Sequence, residues 1–238
     1  MSELSEIRKV IKRAGSSKRA KSSAWFFKTG KGQYGYGDVF VGITVPEQRK
    51  IAKRFFNTFT LKDTVELLKG KIHEERFIAL EILVMKFENA IKQNEKREQK
   101  QIVNLYLKST KHINNWDLVD TSAPYILGEY LLSHPRQALK QLAKSNSLWE
   151  RRIAIVSTMR LIANNEFADT FKVSKLLLSD NHDLIHKAVG WMLREVGKRD
   201  MKVLKKFLNE NISDLPRTTL RYAIERFPEP ERKKFLAL

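Results

Sequence analysis

The strongest constraint on this chain is a succession of helix-length apolar stripes from residue 46 to the C-terminal end, with no convincing alternating strand among them. Pro46 stands where a first-turn proline is tolerated, and Ile51, Phe55 and Phe59 follow at helical spacing. Thr60 and Asp63 form a capping pair that opens a short helix, which Gly70 closes. Phe77, Leu80, Leu83, Val84 and Phe87 stripe residues 74–88. The same pattern predicts helices near 95–108, 114–132, 135–144, 147–164, 168–178, 181–198, 200–209, 214–227 and 229–237, with a mainly helical segment over 3–21. Short links between helices favour antiparallel pairs, and stacked pairs bury a continuous core while leaving a concave face for long ligands. The expected architecture is all-α: one domain over residues 1–238, built of stacked antiparallel helix pairs that form a curved α-solenoid with a concave basic groove.

Charge narrows the partner. Lys and Arg total 45 against 27 Asp and Glu, a formal net charge of +18. A domain so basic faces a polyanion, most commonly nucleic acid, although a ribosome or a membrane surface would select the same balance. Arg8, Lys9, Lys12, Arg13, Lys18, Arg19 and Lys21 crowd the first segment. No apolar run approaches the roughly 20 residues needed to span a bilayer, and no secretory h-region opens the chain. A cytoplasmic protein is therefore expected, nucleoid-associated in a prokaryote. There is no cysteine, hence no disulfide framework and no thiolate metal site. His182 and His186 stand at i,i+4, but without the Glu of an H-E-x-x-H motif, so no metal and no cofactor is expected. Gly30 to Gly42 holds five of the ten glycines in the spacing of neither phosphate-binding loop, and reads as a structural connector.

Three places break the helical pattern in ways that suggest chemistry. In Asn115-Trp116-Asp117-Leu118-Val119-Asp120 an indole and a carboxylate lie one turn apart on one face, and Pro124 should kink or restart the helix. The plainer alternative is a core Trp116 and a surface Asp120. In the helix from Asp180, Ile185, Ala188, Val189, Met192 and Val196 form the core face, while Lys187, Trp191, Arg194 and Lys198 fall almost opposite. An indole among three cations suits a sugar-phosphate backbone; alternatively it covers a neighbouring loop beside a solvated charge stripe. Arg152 projects into the apolar face of the helix over 147–164. Its guanidinium needs an anion there, whether Asp120, another carboxylate or a phosphate, unless its stem carries the charge to the edge.

Taken in order, several stretches resemble the AlkD-like family of DNA-alkylation-repair glycosylases, which are stacks of HEAT-like repeats. They are Phe26-Phe27-Lys28-Thr29-Gly30, Tyr34 through Pro46, Asn115 through Asp120, Leu148 through Ile155, Lys187 through Glu195, and Leu215 through Ile224. The resemblance implies a catalytic carboxylate at Asp120, sugar-lining indoles at Trp116 and Trp191, and a backbone-contacting arginine at Arg152. With the polar-face cations Lys187, Arg194 and Lys198, Phe26 and Arg221 are the further residues expected to contact DNA. Phe26 stands about where some members carry Tyr, so a hydroxyl is missing there, and if that hydroxyl shapes lesion choice the substrate range differs. The implied partner is duplex DNA containing alkylated purines, met by a monomer without an obligate protein partner. The family is thought to act on sugar and backbone with the base left stacked, whereas many glycosylases rotate it out.

The chemistry is coherent without the name. N3- or N7-alkylation makes a purine cationic and a good leaving group, which leaves the oxocarbenium-like charge on deoxyribose to be stabilised. A carboxylate such as Asp120 can do this and position water, and indole faces attract the same charge and exclude solvent. No acid is needed for the leaving group, and no lysine is singled out for a Schiff base, so no lyase step is expected. Related repeat proteins lacking part of this set bind branched DNA without excising bases. A non-catalytic module for branched or damaged DNA is accordingly the second reading, and an RNA- or protein-binding scaffold the third.

Overall fold

A computed structural model describes residues 2–237, and the regular elements among them are helical. Among the described residues β pairing is limited to one isolated bridge, Val39 with Ile72. No helix among them is long and apolar enough to cross a membrane. The chain divides into two compact units after Ser122.

The first unit contains α1 (Glu3–Ala14), α2 (Ser17–Phe26), α3 (Val45–Phe55), α4 (Leu61–Leu68), α5 (His73–Lys92), α6 (Lys96–Lys108) and α7 (Trp116–Ser122), with a 3-10 turn at Thr110–His112. Helix α5 packs against α1, α3, α4, α6 and α7. The stripe Phe77, Leu80, Leu83, Val84 and Phe87 is buried as expected. So are Glu74, Glu75 and Arg76 in its first turn, which the apolar pattern does not foretell. Each has a partner: Glu74 accepts from the backbone N–H groups of Val41, Gly42 and Ile43, Glu75 pairs with Arg8, and Arg76 pairs with Asp38. The glycine-rich connector is thus bound to α5 by a buried carboxylate. Thr44–Glu47 and Thr60–Asp63 form capping boxes at α3 and α4.

The helical segment over 3–21 is broken. Ser16 N–H donates to the Val41 carbonyl at 2.7 Å, and a Cβ on Gly15 would stand 2.9 Å from that oxygen. The glycine admits this close approach, and the Ser16 side chain caps α2.

The second unit begins with a π-helical turn, Pro124–Gly128, followed by α8 (Gln137–Ala143), α9 (Leu148–Ser157), α10 (Met159–Ala163), α11 (Ala168–Leu177), α12 (Asp183–Arg199), α13 (Met201–Asn211), α14 (Arg217–Ala223) and α15 (Glu229–Ala237). Its central helix is α12, packed on α9, α10, α11, α13 and α14. The break expected at Pro124 takes the form of i→i−5 bonding, with Gly128 N–H donating to the Ala123 carbonyl at 2.9 Å. The helix expected over 147–164 is two helices, because Thr158 (φ −67°, ψ −11°) turns the backbone and its hydroxyl donates to the Ile155 carbonyl.

Candidate functional site

Trp116 begins α7, and its placement is fixed by its neighbour. Asn115 is wholly buried; its amide donates to Asp38 at 3.1 Å while its Oδ1 accepts the Trp116 N–H at 2.8 Å. Asn114 donates to the same Asp38. Asp38 lies in the glycine-rich connector, so that loop and the start of α7 are tied to one buried carboxylate. The connector is more than a link: it carries the residue that organises the Asn115–Asp120 stretch.

Asp38 also accepts from Arg76 Nη2 at 2.5 Å and from His73 Nδ1 at 3.0 Å, and His73 Nε2 meets Asp117 Oδ2 at 2.8 Å. Burial opposes a charge on His73, but the Asp117 carboxylate and hydrogen bonds to Asp117 and Asp38 outweigh it and raise its pKa to about 9. At neutral pH both ring nitrogens therefore donate. Burial works against the Asp38 anion as well, yet the His73 hydrogen bond and the Arg76 charge hold its pKa below the ordinary 3.8. Two acids and two bases balance one another beneath α7. Neither His73 nor Asp38 stands out in sequence, because their partners lie 35 and 44 residues away along the chain.

An aromatic stack covers this ionic cluster. Phe40 stacks on His73 at 4.5 Å, Phe27 stacks on Phe40 at 5.1 Å, and Trp116 stacks on Phe27 at 5.2 Å. Phe26 meets Trp116 edge-on at 5.9 Å and is 55% exposed. Trp25 and Tyr36 are exposed too, and an open cleft of about 680 Å³ is lined by Lys21, Trp25 and Phe26. Trp116 is thus partly covered on one face by Phe27, a half-buried residue beside exposed aromatics and not a core tryptophan. Asp120, half-buried, lies one turn on along α7. Tyr106 donates to Ser122 Oγ, whose own hydroxyl is committed to the Leu118 carbonyl. Burial, and then the negative Asp120 carboxylate, push the phenol well above its ordinary pKa of 10.0. Tyr106 is therefore held protonated and cannot serve as a base.

In the second unit, Arg152 is 5% exposed and donates from Nη1 to the Leu184 carbonyl at 2.7 Å. The core face of α12 is buried as read. On its other face Trp191 is half-buried, and its indole N–H donates to Glu195 at 3.1 Å. The cations around it are paired: Lys187 with Asp183, Arg194 with Glu225 and Lys198 with Glu195. Arg221 is exposed on α14. Of the two candidate metal ligands, His182 caps α12 by accepting the Leu184 N–H and His186 bonds the Asp180 carbonyl.

The sequence matches, over residues 7–227, the model of a family described as DNA alkylation repair enzyme. A search of curated proteins finds no match. The fold matches a solved structure named as a predicted DNA alkylation repair enzyme from Enterococcus faecalis, with a TM-score of 0.71. The two are 17% identical, and the match covers 90% of this chain and 97% of the other.

Proposed function

Because this chain belongs to the DNA alkylation repair enzyme family, we propose that it is a monofunctional DNA glycosylase hydrolysing the N-glycosidic bond of N3- and N7-alkylated purines in duplex DNA. One observation carries the reading: an indole locked by stacking on Phe27 precedes a carboxylate by one helical turn, on a helix whose start is pinned to a charge-balanced cluster. A binding module has no need to fix a carboxylate in this way.

In the proposed reaction the C1′–N bond breaks first, and its electron pair passes to the cationic purine, which leaves neutral. Positive charge then grows on the deoxyribose. Asp120 stabilises it and orients water for attack at C1′, and the proton lost from that water passes to solvent or to Asp120. Trp116 offers an indole face to the same charge and keeps bulk water away. Asp117 is committed to His73, so the two carboxylates of α7 have separate tasks. By the resemblance, Trp191 acts as a second sugar-facing indole and Arg152 as a backbone contact. Phe26, Lys187, Arg194, Lys198 and Arg221 are proposed DNA contacts, and the ion pairs of the three α12 cations would then exchange for phosphates on binding.

The test is release of free methylpurine from a methylated duplex, with strand integrity followed in parallel. Neutral 3-methyladenine or 7-methylguanine should appear while the strand stays intact until the abasic site is cleaved by alkali. No release despite tight duplex or junction binding would leave a DNA-binding module in place of an enzyme.

A further inference from the structure

The first unit carries a positive surface lined by none of the residues assigned to the site. An open cleft of about 690 Å³ runs along α6 and reaches the 3-10 turn after it. Arg97, Lys100 and Lys108 line it from α6 and Lys111 from the turn. The three α6 cations are spaced at i, i+3 and i+11, with the amide of Asn104 between them, so they share one face over about 16 Å at 1.5 Å per residue. No carboxylate is among the residues that line the cleft, and none of the four cations makes an ion pair among the described residues. Lys69, at the rim, is offset by Glu66 at 2.6 Å. His112 beside them is pushed below its ordinary pKa by burial first and then by Lys111, Lys69 and Arg76. This contrasts with α12, where Lys187, Arg194 and Lys198 each meet an acid.

We infer that the α6 cleft is a nucleic-acid contact in which Arg97, Lys100, Lys108 and Lys111 bind the phosphodiester backbone, separately from the residues that act on the lesion. The cations are exposed and strung along a helix. That arrangement tracks a repeating anion and does not converge on a compact one. A duplex strand rises 3.4 Å per nucleotide, so the row matches roughly five nucleotides. The inference rests on the glycosylase reading only for the identity of the polyanion.

The experiment compares the full chain with Arg97→Gln/Lys100→Gln/Lys108→Gln and with Lys202→Gln/Lys206→Gln/Lys234→Gln, which removes the same charge elsewhere. Affinity for undamaged duplex is measured across a salt series, and methylpurine release is measured at saturating duplex. The row variant should bind on the order of tenfold more weakly, its log–log salt slope should shrink by roughly 2 to 3, and its release at saturation should be unchanged. A row variant that matches the control in affinity and slope overturns the inference while release leaves the glycosylase reading standing. A shrunken slope with no release from any protein does the reverse. Inorganic pyrophosphate that perturbs α6 amide signals, with the slope unchanged, would assign the cleft to a small phosphorylated ligand and also overturn it.

Discussion

His73 is a buried cation held between two carboxylates, and that makes its protonation part of the fold. Its folded pKa of about 9 lies above the unfolded 6.5. The stabilisation is therefore complete below 6.5 and is lost as pH rises through 9, on the order of 3 kcal/mol in all. Urea unfolding should show stability declining across that window, and His73→Gln should flatten the decline. A native chain equally stable at pH 6 and pH 10 would show that the imidazole is not charged in the fold. In the proposed reaction Trp116 has a separable role. Trp116→Ala should lower methylpurine release by roughly 5- to 30-fold, the worth of one indole–cation contact. Duplex affinity should fall far less, because affinity is dominated by phosphate contacts. Equal losses in both would mark Trp116 as a binding residue only.

At the scale of elements, the glycine-rich connector and α5 hold each other through Glu74. Glu74→Ala leaves the N–H groups of Val41, Gly42 and Ile43 without their buried acceptor, which should cost about 3–5 kcal/mol and expose those amides to hydrogen exchange. Persistent protection of the three amides would refute the anchoring role. Gly190 acts similarly between α12 and α14. An added Cβ would stand 2.5 Å from Tyr222 Cβ and 2.6 Å from the Thr219 carbonyl. Gly190→Ala should therefore destabilise by about 1–3 kcal/mol despite its better helix propensity, as chemical unfolding would show. A stabilised variant would mean that α14 can shift without cost. Helices such as α5 and α12 were legible in sequence because a 3.6-residue stripe is a local signal. The breaks at Gly15 and Thr158 were not, since one depends on the Val41 carbonyl arriving from a distant loop and the other on a side chain turning back on its own helix. The same limit hid the Asp38–His73–Asp117 cluster, whereas Trp116 and Asp120, one turn apart on α7, could be read directly. The sequence pattern places Arg152 in an apolar face, and it is buried. Its partner at the Leu184 carbonyl, on another helix, could not be foreseen.

The whole molecule joins a net charge of +18 to a family that repairs alkylated DNA. Charge accounts for attraction to a polyanion but cannot break a glycosidic bond. In the proposed reaction that task falls to the carboxylate of Asp120. The most direct measurement is single-turnover release of 7-methylguanine from a methylated duplex by the native chain and by Asp120→Asn, with duplex affinity followed in parallel. The account predicts release from the native chain and a fall of about 10²–10³-fold or more in the variant, with affinity unchanged or higher because a negative charge has been removed. Undiminished release by Asp120→Asn, or none from a native chain that binds duplex tightly, would contradict it.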